Sequence, residues 1–327
     1  MTGNFSTTEF WNRTNVNNSA YHHIFTSITL FVSAFGAAGN CLVIWFLSFK
    51  IKRSPSTIYI FNLALADAVF LLFVMFLFII TIILTERHPF EIISENVHVI
   101  NVLYTVSLTC LFGFNTSMCL LTAISVERCI SVIFPLWYHC KRPHHLSTIA
   151  CSSIWILSSL FSAIEFNFCY KQKYIVHDLG NNSTNECTVV SVIICCVSFM
   201  IFTPLMILSS LTLLVKIWTS SQQQQPPKLY LVITVTVLLF LVFAMPMRII
   251  LLVWYKYHMA PPFPILDLFS LFCSVNSSIN PFIYFLIGRQ GGKGKFSLLR
   301  TLQGIFYDDG FQNKREKNVR TILETKI

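Results

Sequence analysis

Charged side chains are scarce in this chain. Asp, Glu, Lys and Arg together make up 11% of its 327 residues, whereas an ordinary soluble domain carries about 25%. Hydrophobic residues make up 54%, and the mean hydropathy is +0.65. So few polar side chains cannot cover a soluble surface. The composition therefore excludes a soluble globular protein and predicts a chain that lies in a membrane.

The hydrophobic residues are grouped into long runs, separated by short polar or proline-containing breaks. Each run is long enough to cross about 30 Å of hydrocarbon at 1.5 Å per residue. We therefore predict an all-α membrane protein, a seven-transmembrane helix bundle. The predicted spans lie near residues 24–49, 57–84, 97–131, 144–168, 188–218, 228–255 and 262–287.

The sequence also lacks the motifs of membrane enzymes and transporters. It has no HExxH motif, no paired intramembrane aspartates and no nucleophile with a plausible base, so an enzyme is not predicted. It shows no internal repeat, a feature that many transporters carry. A transporter or channel is therefore a weaker interpretation, and no cofactor is expected beyond a small cation.

Basic residues and glycosylation sequons lie on opposite sides of the predicted bundle. Nine of the 23 Lys and Arg residues follow Gly288, and segments rich in Lys and Arg stay in the cytoplasm. This predicts a plasma-membrane protein whose N-terminus lies outside the cell. The net charge of +9 faces membrane lipid and intracellular partners, so no nucleic-acid partner is predicted. The outer sequons are Asn4, Asn12, Asn17, Asn181 and Asn182.

This orientation divides the chain into three parts. They are an extracellular glycosylated N-terminus, a seven-transmembrane domain and a cytoplasmic tail, at residues 1–23, 24–287 and 288–327. The tail begins with a predicted short amphipathic helix from Lys293 to Leu302. No cysteine follows Cys273, which excludes a palmitoyl anchor on the tail.

Few cysteines face the outside. Nine of the eleven lie within spans or on the cytoplasmic side, where they act as small apolar residues or stay reduced. Only Cys169 and Cys187 map to the outer side. A disulfide between them would close the loop that carries two sequons. The alternative is two free thiols.

Three polar side chains are predicted at one depth inside the bundle. Asp67, Ser117 and Asn276 each lie ten or eleven residues, about 16 Å, from the cytoplasmic end of their span. Asn280 and Tyr284 follow Asn276 at intervals of four residues and share its helix face. A carboxylate among hydroxyl and amide oxygens suits a small cation. The alternative is a hydrogen-bonded structural cluster.

Three ionisable residues are predicted in the outer third of the bundle: Glu165, Arg248 and Asp267. They are expected to line a pocket that opens to the outside. Both signs of charge would favour a ligand with both signs, such as a peptide. The alternative is that Arg248 pairs with one of the acids across the bundle.

Three prolines lie inside predicted spans, at Pro204, Pro246 and Pro281. A membrane helix bends at proline when its neighbours satisfy the freed carbonyl group. Kinked helices provide the hinges that a two-state switch uses, although packing alone also explains a kink.

Short motifs, one set in each predicted span, match one protein family in order. They are Gly39-Asn40, NLALAD ending at Asp67, ERC at Glu127 to Cys129, Trp155, Pro204, Pro246 and NPFIY at Asn280 to Tyr284. Together they resemble the signature of rhodopsin-like (class A) G-protein-coupled receptors. The segments LTAISVERC, FTPLM, FAMPMR and SSINPFIYF resemble the Mas-related receptors, nearest the Mas proto-oncogene branch.

The resemblance implies a receptor that passes the binding of an extracellular ligand, a peptide or a small organic cation, to a heterotrimeric G protein. It implies arrestin as a further partner. In this family pattern Arg128 engages the G protein or holds the inactive state with Glu127, and Glu165 resembles a contact for cationic ligands. Residues expected to rearrange on activation include Pro281 and Tyr284. The implied sodium pocket consists of Asp67, Ser117, Asn276 and Asn280.

The sequence departs from the class A pattern at three positions. Leu103 stands where most of these receptors have a disulfide cysteine, Ala244 replaces the aromatic residue expected before Pro246, and Thr212 replaces a tyrosine. Mas-related receptors resemble this chain in pairing cysteines of the fourth and fifth helices instead. A receptor-like scaffold that signals constitutively or not at all is therefore the rival interpretation.

Overall fold

The computed structural model describes residues 7–51, 53–87, 97–143, 145–171, 182–220, 228–243 and 263–289, with residues 246, 249 and 253. Within these ranges the chain is helical and contains no strand. Nine α-helices are described, α1 to α9 in chain order: Thr7–Phe49, Pro55–Arg87, Val97–Ile133, Pro135–Cys140, Leu146–Glu165, Asn182–Val197, Thr203–Ser220, Lys228–Phe243 and Phe263–Arg289. Two π-helical segments follow α5 and α6, at Phe166–Lys171 and Ser198–Phe202.

The described helices confirm the predicted helical membrane bundle. Five stretches are long and apolar enough to cross a membrane, and Leu231–Phe243 is a shorter apolar helix. The five stretches are His23–Phe49, Pro55–Ile80, Leu108–Ile133, Leu146–Phe168 and Val189–Val215. The short helix α4 lies between the third and fourth spans. The predicted amphipathic helix of the tail lies outside the described residues.

Two helices extend further than the hydropathy predicted. Helix α1 begins at Thr7 rather than near residue 24, and α6 begins at Asn182 rather than near residue 188. Hydropathy marks only the part of a helix that meets hydrocarbon. The polar segments before these two spans are also helical, so both helices continue beyond the boundary that hydropathy predicted.

Polar and apolar side chains are distributed as a bilayer requires. Large hydrophobic side chains point outward, including Phe31 at 65% and Met200 at 78% exposure. Polar side chains fill much of the interior, including Asp67, Asn115 and Asn280. Lipid accepts the outer hydrophobic groups, while the inner polar groups find partners within the bundle.

Helix α3 lies at the centre of the described bundle and packs against α2, α5, α7 and α8, while α1 packs against α2 and α9. The α1–α9 contact is close because Gly36 has no side chain. A Cβ atom at Gly36 would lie 2.0 Å from Ser278 Oγ and 2.8 Å from Ser278 Cα. Glycine is therefore required there by the approach of two backbones, and this approach sets the position of α9.

Reciprocal capping fixes the start of α2. The Ser54 backbone N–H donates to Thr57 Oγ1 at 2.7 Å, and the Thr57 backbone N–H donates to Ser54 Oγ at 3.3 Å. Pro55 occupies the first turn, where its missing N–H removes no helical hydrogen bond. The same proline preference starts α4 at Pro135.

Candidate functional site

The polar layer predicted from helical spacing is present in the centre of the bundle. Asp67 on α2 is fully buried. Ser117 Oγ on α3 donates to Asp67 Oδ1 at 2.8 Å, and Asn280 Nδ2 on α9 donates to Asp67 Oδ2 at 2.7 Å. One carboxylate thus ties together three helices and joins three of the four residues predicted for this layer, Asp67, Ser117 and Asn280.

Two amide oxygens of the same region have no hydrogen-bond partner among the described residues. They are the Oδ1 atoms of Asn276 and Asn280, and both side chains are buried. Buried polar atoms without a protein partner commonly face water or an ion. A carboxylate, a serine hydroxyl and amide oxygens are hard ligands of the kind that a small cation prefers. The residues present therefore fit a sodium ion.

An apolar cavity lies between this polar layer and the C-terminal end of α3. Tyr284 contributes to its wall and is 3% exposed. The other lining residues are Ile60, Leu63, Leu121, Ile124, Val232, Ile233 and Thr236. Mainly hydrophobic side chains thus separate the Asp67 layer from the C-terminal end of α3, and Tyr284 lies among them.

A second carboxylate is fixed near the C-terminal end of α3. Tyr138 Oη on α4 donates to Glu127 Oε1 at 3.0 Å, and Arg142 Nη2 lies 2.5 Å from the same oxygen. Arg142 Nη2 also donates to Ser147 Oγ on α5 at 2.5 Å. The neighbouring Arg128 is 4% exposed. Arg142 is therefore a counter-ion of Glu127 in the structure. The sequence pattern did not single out this residue.

The phenol of Tyr138 stays protonated in this cluster. Burial raises the pKa of Tyr138 above its usual value, and the charge of Glu127 raises it further, whereas Arg128 and Arg142 lower it. The guanidinium carbon of Arg142 lies 5.1 Å from the centre of the Tyr138 ring, a distance typical of cation–π contacts. The neutral phenol can therefore donate to Glu127 while its ring faces Arg142.

The outer acids predicted for a ligand pocket are buried. Glu165, the last residue of α5, is 2% exposed, and Asp267 near the start of α9 is 5% exposed. One turn before Glu165, Ser162 Oγ accepts a 2.9 Å hydrogen bond from Asn115 Nδ2 on α3. Arg248 and Ala244 lie outside the described residues. Their part in a pocket or a switch stays a prediction.

The proline in α9 is accommodated by a side chain of α1. Pro281 has no N–H, which frees the carbonyl group of Ser277 four residues earlier. Asn40 Nδ2 donates to that carbonyl oxygen at 3.1 Å and to Gly36 O at 3.0 Å. The Gly39-Asn40 motif thus stabilises the NPFIY segment, a relation that the separate motifs did not reveal.

The other two prolines differ in their surroundings. Pro204 follows the π-helical segment Ser198–Phe202, and Thr203 Oγ1 donates to Ser198 O at 3.0 Å, which satisfies a carbonyl group at this irregular point. Pro246 is helical and exposed. Irregular turns beside Pro204 are consistent with the expected bend in the fifth span.

The disulfide and glycosylation predictions fall on parts that the structure does not describe. The side chains of Cys169 and Cys187 lie outside the described residues, as do those of the five sequons. The cysteines whose side chains are described form no disulfide with one another. They lie in or beside the spans, where the sequence predicted reduced thiols.

Two polar contacts beyond the predicted layer link neighbouring spans. Trp155 Nε1 on α5 donates to Asn62 Oδ1 on α2 at 2.9 Å. Asn115 bonds to Ser162, as described above. Sequence reasoning included Trp155 and Asn62, the first residue of NLALAD, only as parts of family motifs, and it missed Asn115. Their position inside hydrocarbon-length helices was the available signal, because uncharged amides in a span also need partners.

These features define a seven-transmembrane receptor of the rhodopsin type, with a buried carboxylate layer, a proline-containing α9 and an acid–arginine pair at the end of α3. Residues 39–284 match the family model described as "7 transmembrane receptor (rhodopsin family)". The chain therefore belongs to the rhodopsin family of seven-transmembrane receptors.

Its similarity is most specific to Mas-related proteins. The chain is 40% identical to human Proto-oncogene Mas over 303 residues, which cover 92% of this chain and 89% of that protein. It is 38% identical to rat Mas-related G-protein coupled receptor member H, with coverage of 92% and 89%. It is also 38% identical to human Mas-related G-protein coupled receptor member D, with coverage of 81% and 78%. The predicted class A, Mas-related assignment is confirmed, and an enzyme is excluded by the family.

Proposed function

We propose that this multi-pass plasma-membrane receptor binds a peptide or a small organic cation near Glu165, Arg248 and Asp267, with its N-terminus outside the cell. Two buried carboxylates at the outer end favour a ligand that carries positive charge. Charge inside a membrane span is costly, so its retention favours a functional contact. Arg248 would serve an anionic group on the same ligand.

Binding at the outer end shifts a two-state bundle and opens a cleft near Arg128 for a heterotrimeric G protein. The observation that supports this proposal is the Asp67 layer, in which one carboxylate joins α2, α3 and α9. Pro281 lies on the same helix as Asn280, one residue further along. A displacement of α9 would therefore change both the polar layer and the position of Tyr284.

A sodium ion held by the Asp67 layer is part of this proposal. Asp67, Ser117, Asn276 and Asn280 would supply its oxygens. A cation that binds one state more tightly than the other shifts the equilibrium between them. Sodium would stabilise the state whose layer is closed, and ligand binding would oppose it.

The outer loops carry two further proposals. A Cys169–Cys187 disulfide would close the loop before α6, and the sequons Asn4, Asn12, Asn17, Asn181 and Asn182 would carry glycans. Non-reducing peptide mapping of the receptor should recover the two cysteines in one linked fragment, and peptide N-glycosidase should increase its electrophoretic mobility. Two separately alkylated thiols would contradict the disulfide, and unchanged mobility would contradict the glycans.

Signalling in cells tests the receptor proposal. Calcium and cyclic AMP are measured together, without ligand and with a peptide library, in cells that express wild type, Arg128→Ala or the control Lys141→Ala at matched surface levels. Lys141 is exposed beside the same cluster. We expect a signal in wild type and the control that Arg128→Ala loses. Silence in all three would favour the scaffold interpretation.

The ligand pocket is tested on any agonist that the library yields. Arg248→Ala should remove the response while surface expression persists, and an unchanged dose response would exclude Arg248 from the pocket. Arrestin recruitment is expected to be weak, because few hydroxyls in the tail can accept phosphate: Ser297, Thr301, Thr321 and Thr325. Strong recruitment that requires the tail would contradict this expectation.

A further inference from the structure

Arg142 is a buried cation in a segment that the sequence marks as a loop. Its side chain is 7% exposed, and that of Glu127 is 10% exposed. Removing a guanidinium from water is costly unless charged and polar groups surround it. Arg142 also carries a buried Nε atom without a hydrogen-bond partner among the described residues. Such burial indicates that a specific contact holds the side chain in place.

The contacts of Arg142 join three helices. Its Nη2 atom lies 2.5 Å from Glu127 Oε1 on α3 and donates to Ser147 Oγ on α5, also at 2.5 Å. Its guanidinium lies against the ring of Tyr138 on α4. Tyr138 donates to the same oxygen of Glu127 at 3.0 Å. One carboxylate oxygen is therefore the common acceptor for α4 and for the segment that follows it.

Helix α4 cannot be held by its own backbone. It has six residues, whereas isolated helices shorter than about 12 residues are marginal in water. Phe134, Leu136 and Trp137 are 59%, 66% and 39% exposed, so little apolar burial fixes this segment. The hydrogen bond of Tyr138 and the ion pair of Arg142 are side-chain contacts that attach this segment to α3.

We infer that Arg142 is a positioning residue that holds α4 against the cytoplasmic end of α3 through Glu127, and thereby sets the shape of the surface beside Arg128. This inference rests on the proposed function only where it concerns G-protein coupling. Arg142 acts as the counter-ion of Glu127, supplied from outside α3. Without Arg142, the buried carboxylate of Glu127 loses its counter-ion and keeps the neutral phenol of Tyr138 as a donor. Helix α4 is then held less firmly against α3.

Hydrogen–deuterium exchange of the full-length receptor in lipid nanodiscs tests the positioning role without any ligand. The measured amides include Tyr138 N–H and Lys141 N–H, which donate to Phe134 O and Trp137 O at 3.0 and 2.9 Å. Arg142→Ala should raise their exchange rates by about tenfold, because a buried charged partner is lost. Lys141→Ala is the matched control, since its backbone N–H is retained. It should leave the rates within about twofold of wild type.

Two conservative variants distinguish a specific loss of the ion pair from general misfolding. Arg142→Lys keeps the charge but loses the forked donor geometry, so it should recover part of the protection. Glu127→Gln keeps the shape and an acceptor for Tyr138 but removes the charge, and it should raise exchange as Arg142→Ala does. The double variant Glu127→Gln/Arg142→Ala should exchange no faster than Arg142→Ala alone, because both changes remove the same ion pair.

G-protein coupling is measured on the same nanodisc samples, as nucleotide exchange on purified heterotrimers with no ligand added. Arg142→Ala should alter exchange on any heterotrimer that wild type activates, with partial recovery in Arg142→Lys. Unchanged amide exchange in Arg142→Ala would overturn the positioning role. Faster amide exchange with unaltered nucleotide exchange would overturn its link to coupling. A wild type that activates no heterotrimer, either alone or with an agonist that the peptide library yields, would contradict the proposed function, while amide exchange would still decide the positioning role.

Discussion

Two buried carboxylates in this receptor are held in opposite ways. Asp67 lies in the middle of the bundle and accepts hydrogen bonds from two neutral side chains, Ser117 and Asn280. Glu127 lies near the C-terminal end of α3 and faces the cation of Arg142 as well as the neutral phenol of Tyr138. The first is surrounded by neutral donors and oxygen atoms, and the second has its counter-ion within the chain.

The difference indicates different uses of the same chemical group. A carboxylate whose described partners are all neutral can still bind a mobile cation. The fraction of receptors that hold the cation can then change with the state of the bundle. A carboxylate already paired with arginine gains little from an added cation, and it links segments of the chain. The Asp67 layer is thus suited to allosteric control, and the Glu127 cluster to fixing the cytoplasmic surface.

The largest expected effect concerns the frame that carries Asn280 to Asp67. In Gly36→Ala the new Cβ atom would lie 2.0 Å from Ser278 Oγ and 2.8 Å from Ser278 Cα, so α1 and α9 must separate. We expect a loss of about 3 kcal/mol of stability, although alanine favours helix formation. Thermal unfolding of the purified receptor measures it. The lipid-facing control Ala38→Val should change stability little, and an equally stable Gly36→Ala would contradict the close approach.

The next effect concerns the carbonyl group that Pro281 frees. Asn40→Leu keeps the approximate volume but removes the donor to Ser277 O, and an unpaired buried carbonyl costs about 2 kcal/mol. Pro281→Ala returns a backbone N–H to this carbonyl group. The loss caused by Asn40→Leu should therefore be smaller in a Pro281→Ala background. Equal losses in both backgrounds, by thermal unfolding, would show that Asn40 acts elsewhere.

Sodium distinguishes the two carboxylates directly. At about ten times its dissociation constant, a bound ion stabilises the folded state by about 1.4 kcal/mol. We expect sodium chloride, compared with choline chloride at equal ionic strength, to raise the unfolding temperature of wild type but not of Asp67→Asn. Glu127→Gln should retain the increase, because its carboxylate is not part of the layer. If sodium no longer raised the unfolding temperature of Glu127→Gln, or still raised that of Asp67→Asn, the proposed difference between the two carboxylates would be wrong.

The Asp67 layer could be predicted from the sequence because it depends on periodic geometry. Helical rise sets the depth of Asp67, Ser117 and Asn276, and a four-residue interval puts Asn280 on the same face. Nearly straight spans then bring these residues together. The seven-span bundle could also be predicted, because hydropathy depends only on the length and composition of each segment.

The Glu127 cluster could not be predicted in this way. Arg142 follows α4 and precedes Pro143, so no helical period relates it to Glu127. The family pattern implied Arg128 as a partner of Glu127, whereas the path of the chain through α4 brings Arg142 to the carboxylate. The bond from Asn40 to Ser277 also escaped prediction, because two motifs far apart in sequence had to be placed in space first.

The smallest effect compares one neutral donor at each carboxylate. Ser117→Ala removes the donor to Asp67, and Tyr138→Phe removes the phenol that donates to Glu127. Asp67 then retains only neutral donors among the described residues, including Asn280, whereas Glu127 retains the charge of Arg142. We expect Ser117→Ala to cost about 1 kcal/mol more than Tyr138→Phe, within the range for hydrogen bonds to charged groups. Paired thermal unfolding in sodium-free buffer measures the difference. A Tyr138→Phe loss equal to or larger than that of Ser117→Ala would mean that the phenol, rather than the arginine, is the main support of Glu127.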